Sequence, residues 1–127
     1  MVQQDWRYGM NDSEYIYGMK RYDDLLKAEL EKIEAVYREC DVMVTHVNPS
    51  IDMAHVDPKF RSDPGTAFFA FDGQGYLEKT TAKYWVYGHT HEPNRYRIGS
   101  CEVVCNPMGY PGESRNGAKT RVIELQL

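Results

Sequence analysis

Cysteine is scarce in this 127-residue chain. There are three, Cys40, Cys101 and Cys105, an odd number that implies no disulfide framework. If Glu102-Val103-Val104 is extended, the Cα atoms of Cys101 and Cys105 lie about 13 Å apart at ~3.3 Å per residue, beyond the reach of a disulfide. Free thiols point to a reduced, cytoplasmic setting. Long apolar runs are lacking as well: the longest, Ala67–Phe71, has five residues, far too few for a membrane span. Met1–Met10 has neither a basic stretch nor an apolar one, so no signal peptide is expected. There is no cationic excess. Fifteen Lys and Arg face nineteen Asp and Glu, a net charge of -4, which disfavours nucleic-acid or membrane coating. No Gly-x-Ser-x-Gly sequence and no Walker or Rossmann glycine loop is present, so serine hydrolysis and nucleotide cradling of those types have no support.

Hydrophobic residues make up 42% of the chain and charged residues 27%, a balance that supports a packed core. The length suits one domain, residues 1–127. Along Tyr22–Cys40, Leu26, Leu30, Ile33, Tyr37 and Cys40 form one helical stripe, with Lys27, Glu31, Lys32, Glu34 and Arg38 opposite. Asp23 and Asp24 suit the helix N-terminus. A helix start is also expected after Asp12 or Ser13. Val42–Thr45 reads as a short buried strand, and a helix followed by such a strand predicts an α/β layer arrangement. Val47–Gly65, with Pro49, Pro58 and Pro64, reads as a long loop. Ala67–Phe71 fits either strand or helix. Tyr84–Tyr87 reads as a strand ended by Gly88. Arg95–Ile98 and Glu102–Cys105 read as a hairpin around Gly99-Ser100. Asn106–Gly117 reads as a loop, and Arg121–Leu127 as a final strand.

The four histidines are more informative by placement than by number. His46 follows the Val42–Thr45 strand. His89 and His91 follow Tyr84–Tyr87. Ligands collect at the carboxyl ends of strands in α/β sheets. In an extended segment, residues i and i+2 point the same way, so His89 and His91 would face one site. Neutral imidazole suits Zn, Fe, Mn, Co or Ni. Spacing alone leaves both metal ligation and an ordinary pair of histidines open.

Two segments carry a resemblance. They are Val44-Thr45-His46-x-x-Pro49-Ser50 and Trp85-Val86-Tyr87-Gly88-His89-Thr90-His91-Glu92. Together they resemble the last two motifs of the calcineurin-like metallophosphoesterases. The stretch from Arg95 through Asn106-Pro107 to Glu113 is similar to the run after Gly-His-Thr-His in one bacterial branch of that family. The resemblance implies a four-layer α/β/β/α sandwich, of which this chain would supply about half. It also implies two divalent ions and hydrolysis of a phosphoester substrate. Carried over residue by residue, His46 and His89 would ligate one ion and His91 the other, with Glu92 and Asn106 at the outer shell or substrate rim.

The family's first three motifs are not in this sequence. Asp52-Met53-Ala54-His55 has the wrong spacing for Asp-x-His, Gly9-Met10-Asn11-Asp12 lacks the histidine of Gly-Asn-His, and no Gly-Asp pair occurs. Val47 stands where a second histidine is often found. Three neutral imidazoles bring no negative charge to offset two divalent ions. The expectation is therefore a chain without efficient hydrolysis by itself, holding at most one ion weakly through His46 and His89. A complementary N-terminal half or a homo-oligomer would complete or cover it. The competing reading is a non-catalytic remnant or interaction domain. His55 is expected to be a solvated loop histidine, Cys105 a core thiol, and Arg95, Arg97, Arg115, Lys119 and Arg121 scattered surface cations. Trp6, Tyr8, Tyr15 and Tyr17 are expected to form an exposed patch facing the missing half.

Overall fold

The computed structural model describes residues 21–113 and 124. The expected early helix, the Trp6–Tyr17 aromatics, the Arg121–Leu127 strand and the cations Arg115, Lys119 and Arg121 lie outside those residues. The chain divides into two compact units that part between Val36 and Tyr37.

Helix α1 spans Tyr22–Val36, with Asp23 and Asp24 in its first turn and Ile33 buried. It stops four residues short of the periodic stripe. The carbonyl of Tyr37 instead accepts Thr81 N–H at 3.2 Å and the Thr80 hydroxyl at 2.6 Å. The Cys40 carbonyl accepts the Thr81 hydroxyl at 3.1 Å. Carbonyls committed to these donors, and not to a further helical turn, hold Tyr37–Asp41 beside the segment that leads into the second strand.

Among the described residues, the second unit is built on a mixed sheet of four strands in the order β1-β2-β4-β3. They are β1 (Val42–Val44), β2 (Tyr84–Tyr87), β3 (Asn94–Ile98) and β4 (Cys101–Cys105). β1, β2 and β4 run parallel, with Met43 opposite Trp85 and Trp85 opposite Val103. β3 returns antiparallel on β4, as the Gly99-Ser100 signal predicts. Gly99 sits at φ 57°, a left-handed turn position that costs glycine nothing. The parallel pairing gives the described residues a mixed α/β architecture, in line with the expected class.

The core gathers on the two central strands. Trp85, Val103, Cys101 and Cys105 are at most 2% exposed, and Tyr87, Met43, Leu77 and Ala82 are also buried. Cys101 and Cys105 are free thiols in that core, as expected of Cys105. Burial pushes the Cys101 thiol up to about 11 and raises that of Cys105. Both stay protonated and inert at neutral pH.

The loop expected at Val47–Gly65 is more ordered than its prolines suggest. It holds short 3-10 turns at Met53–His55 and Pro58–Phe60, and a third covers Pro64–Phe68. Each begins with an aspartate whose carboxylate accepts a backbone N–H two residues on: Asp52 from Ala54, Asp57 from Lys59 and Asp63 from Gly65. Proline follows Asp57 and Asp63 directly, at a position where a missing N–H costs nothing. Ala67–Phe71, which fits either strand or helix by pattern, forms the end of the third turn and one isolated parallel bridge, Ala70 to Asn48. Helix α2 (Gln74–Leu77) then leads back to the sheet. Its cap, Gly73, packs so closely that a Cβ there would lie 2.6 Å from the Pro49 carbonyl oxygen.

Arg95 and Arg97, expected to be scattered cations, instead both reach Glu102 across the hairpin. The hydrogen bond from Arg95, with the charges of both arginines, holds the Glu102 carboxyl below its ordinary range. A carboxylate with a lowered folded-state pKa stabilises the fold at neutral pH, and that contribution is lost as pH falls through the lowered value. Both arginines are exposed, so screening keeps the effect small. Glu102→Gln is expected to cost about 0.5–1 kcal/mol at pH 7 and nothing in strong acid. Urea unfolding of the two proteins across that pH range checks it.

Candidate metal centre

Two adjacent parallel strands end in histidine. His46 lies just beyond β1 and His89 just beyond β2. The pairing continues past the strands: Thr45 N–H donates to the Val86 carbonyl at 3.0 Å, and Gly88 N–H to the His46 carbonyl at 3.1 Å. This brings the two imidazoles together, with ring centroids 4.5 Å apart and planes at 47°. Phe69 also packs on His89, at 4.8 Å between ring centroids. Thr45 is fixed from both ends: its hydroxyl donates to the Val47 carbonyl at 2.8 Å and accepts the Trp85 indole N–H at 2.9 Å. The core residue Trp85 thus anchors the residue preceding His46.

His89 and His91 are not in extended backbone. Their φ angles are 67° and 55°, both in the left-handed region. The alternation that would turn i and i+2 the same way therefore does not apply. A left-handed non-glycine residue costs of order 1 kcal/mol, and histidine is among those that tolerate it best. Thr90 N–H closes the turn on the Gly88 carbonyl at 2.8 Å.

His91 meets different partners. Its Nδ1 lies 2.8 Å from Glu113 Oε2, and its ring meets the edge of Tyr110 at 4.5 Å. The same Glu113 oxygen accepts Tyr110 N–H at 2.7 Å. These bonds hold the Glu113 carboxyl below its ordinary value, the backbone donor first and His91 next. A carboxylate on Nδ1 leaves Nε2 as the ligating nitrogen, the way metal-binding histidines are commonly oriented. Glu92 pairs with Lys59 at 3.3 Å. Asn106 is exposed just beyond β4, the third of the parallel strands.

His55 departs from the expectation of a solvated loop residue. It is half-buried and lies flat on Tyr96, with centroids 4.1 Å apart and planes at 5°. Its Nδ1 is 2.9 Å from the Ser50 hydroxyl. Its carbonyl accepts the side-chain amides of Asn48 and Asn94 at 2.9 and 2.8 Å. Asn48 was not among the sequence candidates. It is 3% exposed and also accepts the Tyr96 hydroxyl at 2.6 Å. Its position two residues after His46, before Pro49, is the one signal that could have singled it out.

No family model, curated protein or solved structure matches the chain.

The donor set can be tested directly against the implied ions. The tilted His46–His89 pair suits two ligands of one borderline ion, the remaining positions being open to water. The requirement of a two-ion centre is not met by the described residues: among them, no three His, Cys, Asp or Glu side chains converge on a point where a metal would sit. No bridging carboxylate is present among them to offset the charge of a second cation. Among the described residues, no helix is long and apolar enough to cross a membrane.

Proposed function

We propose that this chain carries the histidine-bearing, C-terminal portion of a calcineurin-like metallophosphoesterase, a metal-dependent phosphoester hydrolase. His46 and His89 would hold one divalent ion, Mn, Zn, Fe, Co or Ni. His91, oriented by Glu113, would serve the second ion. Glu92 and Asn106 would stand at the rim. Such ions, when bound, would supply Lewis acidity and an activated water. The carboxylate ligands would come from a complementary N-terminal half, within the four-layer sandwich the resemblance implies. The observation that carries this reading is the 4.5 Å approach of His46 and His89 at the ends of neighbouring parallel strands. Their motifs alone could not bring the two rings together.

A second reading has its own support. The described residues offer no carboxylate beside the imidazole pair, which favours a non-catalytic interaction domain with one weakly held ion. Metal content and hydrolysis of a nitrophenyl phosphodiester, with and without added Mn, separate the two. The pure chain is expected to bind about one ion weakly and to turn over no substrate. Affinity should fall at least about tenfold in His46→Ala and in His89→Ala. Absence of any ion dependent on these two histidines would remove the metal reading. Turnover on adding a complementary half would support the hydrolase; metal binding that never yields turnover would support the interaction domain.

A further inference from the structure

The two imidazoles of the pair stand in different surroundings. His46 is exposed, whereas His89 is half-buried in its left-handed turn. A side chain free to rotate must be frozen when it takes an ion, and that loss weakens binding. Two histidines give an ion few bonds, so such a site depends on how well its ligands are oriented beforehand.

Phe69 supplies an orienting contact. Its ring packs on His89 with centroids 4.8 Å apart and planes at 31°, nearer to face contact than to an edge. Imidazole binds a metal through a lone pair in the ring plane, so packing on the ring face leaves that direction to the ion. Phe69 is itself fixed. Its N–H donates to the Thr66 carbonyl at 3.0 Å, and its carbonyl accepts Asn48 N–H at 3.0 Å. Phe60 stacks on its ring at 5.6 Å. The bond to Asn48, with the bridge from Asn48 to Ala70, ties the segment carrying Phe69 to the chain two residues beyond His46.

The neighbours of Phe69 serve the core: Phe68, Ala70 and Phe71 are all buried. Phe69 is only half-buried, and its ring is spent on His89 and Phe60. We propose that Phe69 is a positioning residue for the metal ligand His89, its ring fixing the imidazole before an ion arrives. The role in ion binding rests on the metal reading of His46 and His89; the orientation of His89 by Phe69 can be measured with no ion present.

Nuclear magnetic resonance of the metal-free chain reads the His89 rotamer through the couplings of its Hβ protons, and calorimetric titration with Zn²⁺ reads affinity. The parent should hold one His89 rotamer. Phe69→Ala should average among rotamers and bind Zn²⁺ about fivefold more weakly, the factor of one side chain frozen on binding. Phe69→Leu, which keeps apolar bulk without a flat face, should fall between the two. Phe69→Tyr, which keeps the ring, should match the parent in both readouts. Phe71→Leu alters a nearby aromatic that packs on Trp85; it should lower stability and leave the His89 rotamer and Zn²⁺ affinity unchanged. Undiminished affinity in both Phe69→Ala and Phe69→Leu would overturn the positioning role. So would equal losses of affinity in Phe69→Ala and Phe71→Leu, the mark of a general loosening of the fold. Rotamer averaging in Phe69→Ala when the parent itself binds no Zn²⁺ would overturn the metal reading and leave the orientation of His89 by Phe69 standing.

Discussion

Trp85→Ala is expected to be the most damaging single substitution in the sheet, costing about 3–5 kcal/mol, the range for removing a large aromatic from a core. Trp85 is 0% exposed and sits on β2, paired with β1 on one side and β4 on the other. Its removal opens a cavity where all three parallel strands meet and strips the packing with Phe71. It also deprives Thr45 of its indole donor. A loss of that size is comparable to the whole stability of a small domain, so thermal melting should show little cooperative unfolding. Trp85→Phe is the informative companion. It retains most of the volume while losing the hydrogen bond, and should cost about 1–3 kcal/mol. If Trp85→Phe keeps the fold but loosens the His46–His89 pair, metal affinity should fall more than stability. A Trp85→Ala protein that melts like the parent would show that the indole does not hold the sheet together.

The same residue shows which parts of the structure were legible in the sequence. Tyr84–Tyr87 matched a strand because its pattern is short, β-branched and aromatic, and because Gly88 stops it. The hairpin was legible for the same reason, through Gly99 and Ser100. These are local signals and need nothing from distant residues. The His46–His89 approach was legible only in part. Placement after two strands suggested it, but the parallel pairing that creates it joins residues about forty positions apart. The extended geometry assumed for His89 and His91 failed because the backbone turns left-handed at both, which residue type alone does not specify. The end of α1 was set by Thr80 and Thr81, donors far along the chain. The Asp-capped turns had a local signal in Asp57-Pro58 and Asp63-Pro64, overshadowed by the prolines that make the segment read as plain loop.

Asn48 was missed for the opposite reason: its one local signal, a place two residues after His46 and before Pro49, says nothing of burial or of bonds to distant residues. Its substitution tests whether the loop after His46 is held by that hub. Asn48 Oδ1 accepts the Tyr96 hydroxyl at 2.6 Å and Ser50 N–H at 3.1 Å, and its amide donates to the His55 carbonyl at 2.9 Å. Its backbone carries the bridge to Ala70. Asn48→Ala would leave the half-buried Tyr96 hydroxyl and the buried Ser50 N–H without their acceptor. Each unsatisfied buried group costs about 1–3 kcal/mol, so a loss of about 2–4 kcal/mol is expected by urea unfolding. Asn48→Asp separates the two halves of the hub, because it keeps the acceptor for Tyr96 and Ser50 and loses the donor to His55. A buried carboxylate must also accept more bonds or protonate, so its penalty should shrink as pH is lowered towards the carboxylate range, while that of Asn48→Ala stays constant. Tyr96→Phe completes the test: it removes the donor together with Asn48's need to accept it. The double variant Asn48→Ala with Tyr96→Phe should then cost less than the sum of the two single changes, by about 1 kcal/mol or more. Strict additivity would mean that Asn48 and Tyr96 act independently, and that the segment leading from His46 to His55 is held by its backbone bonds to Phe69 and Phe71.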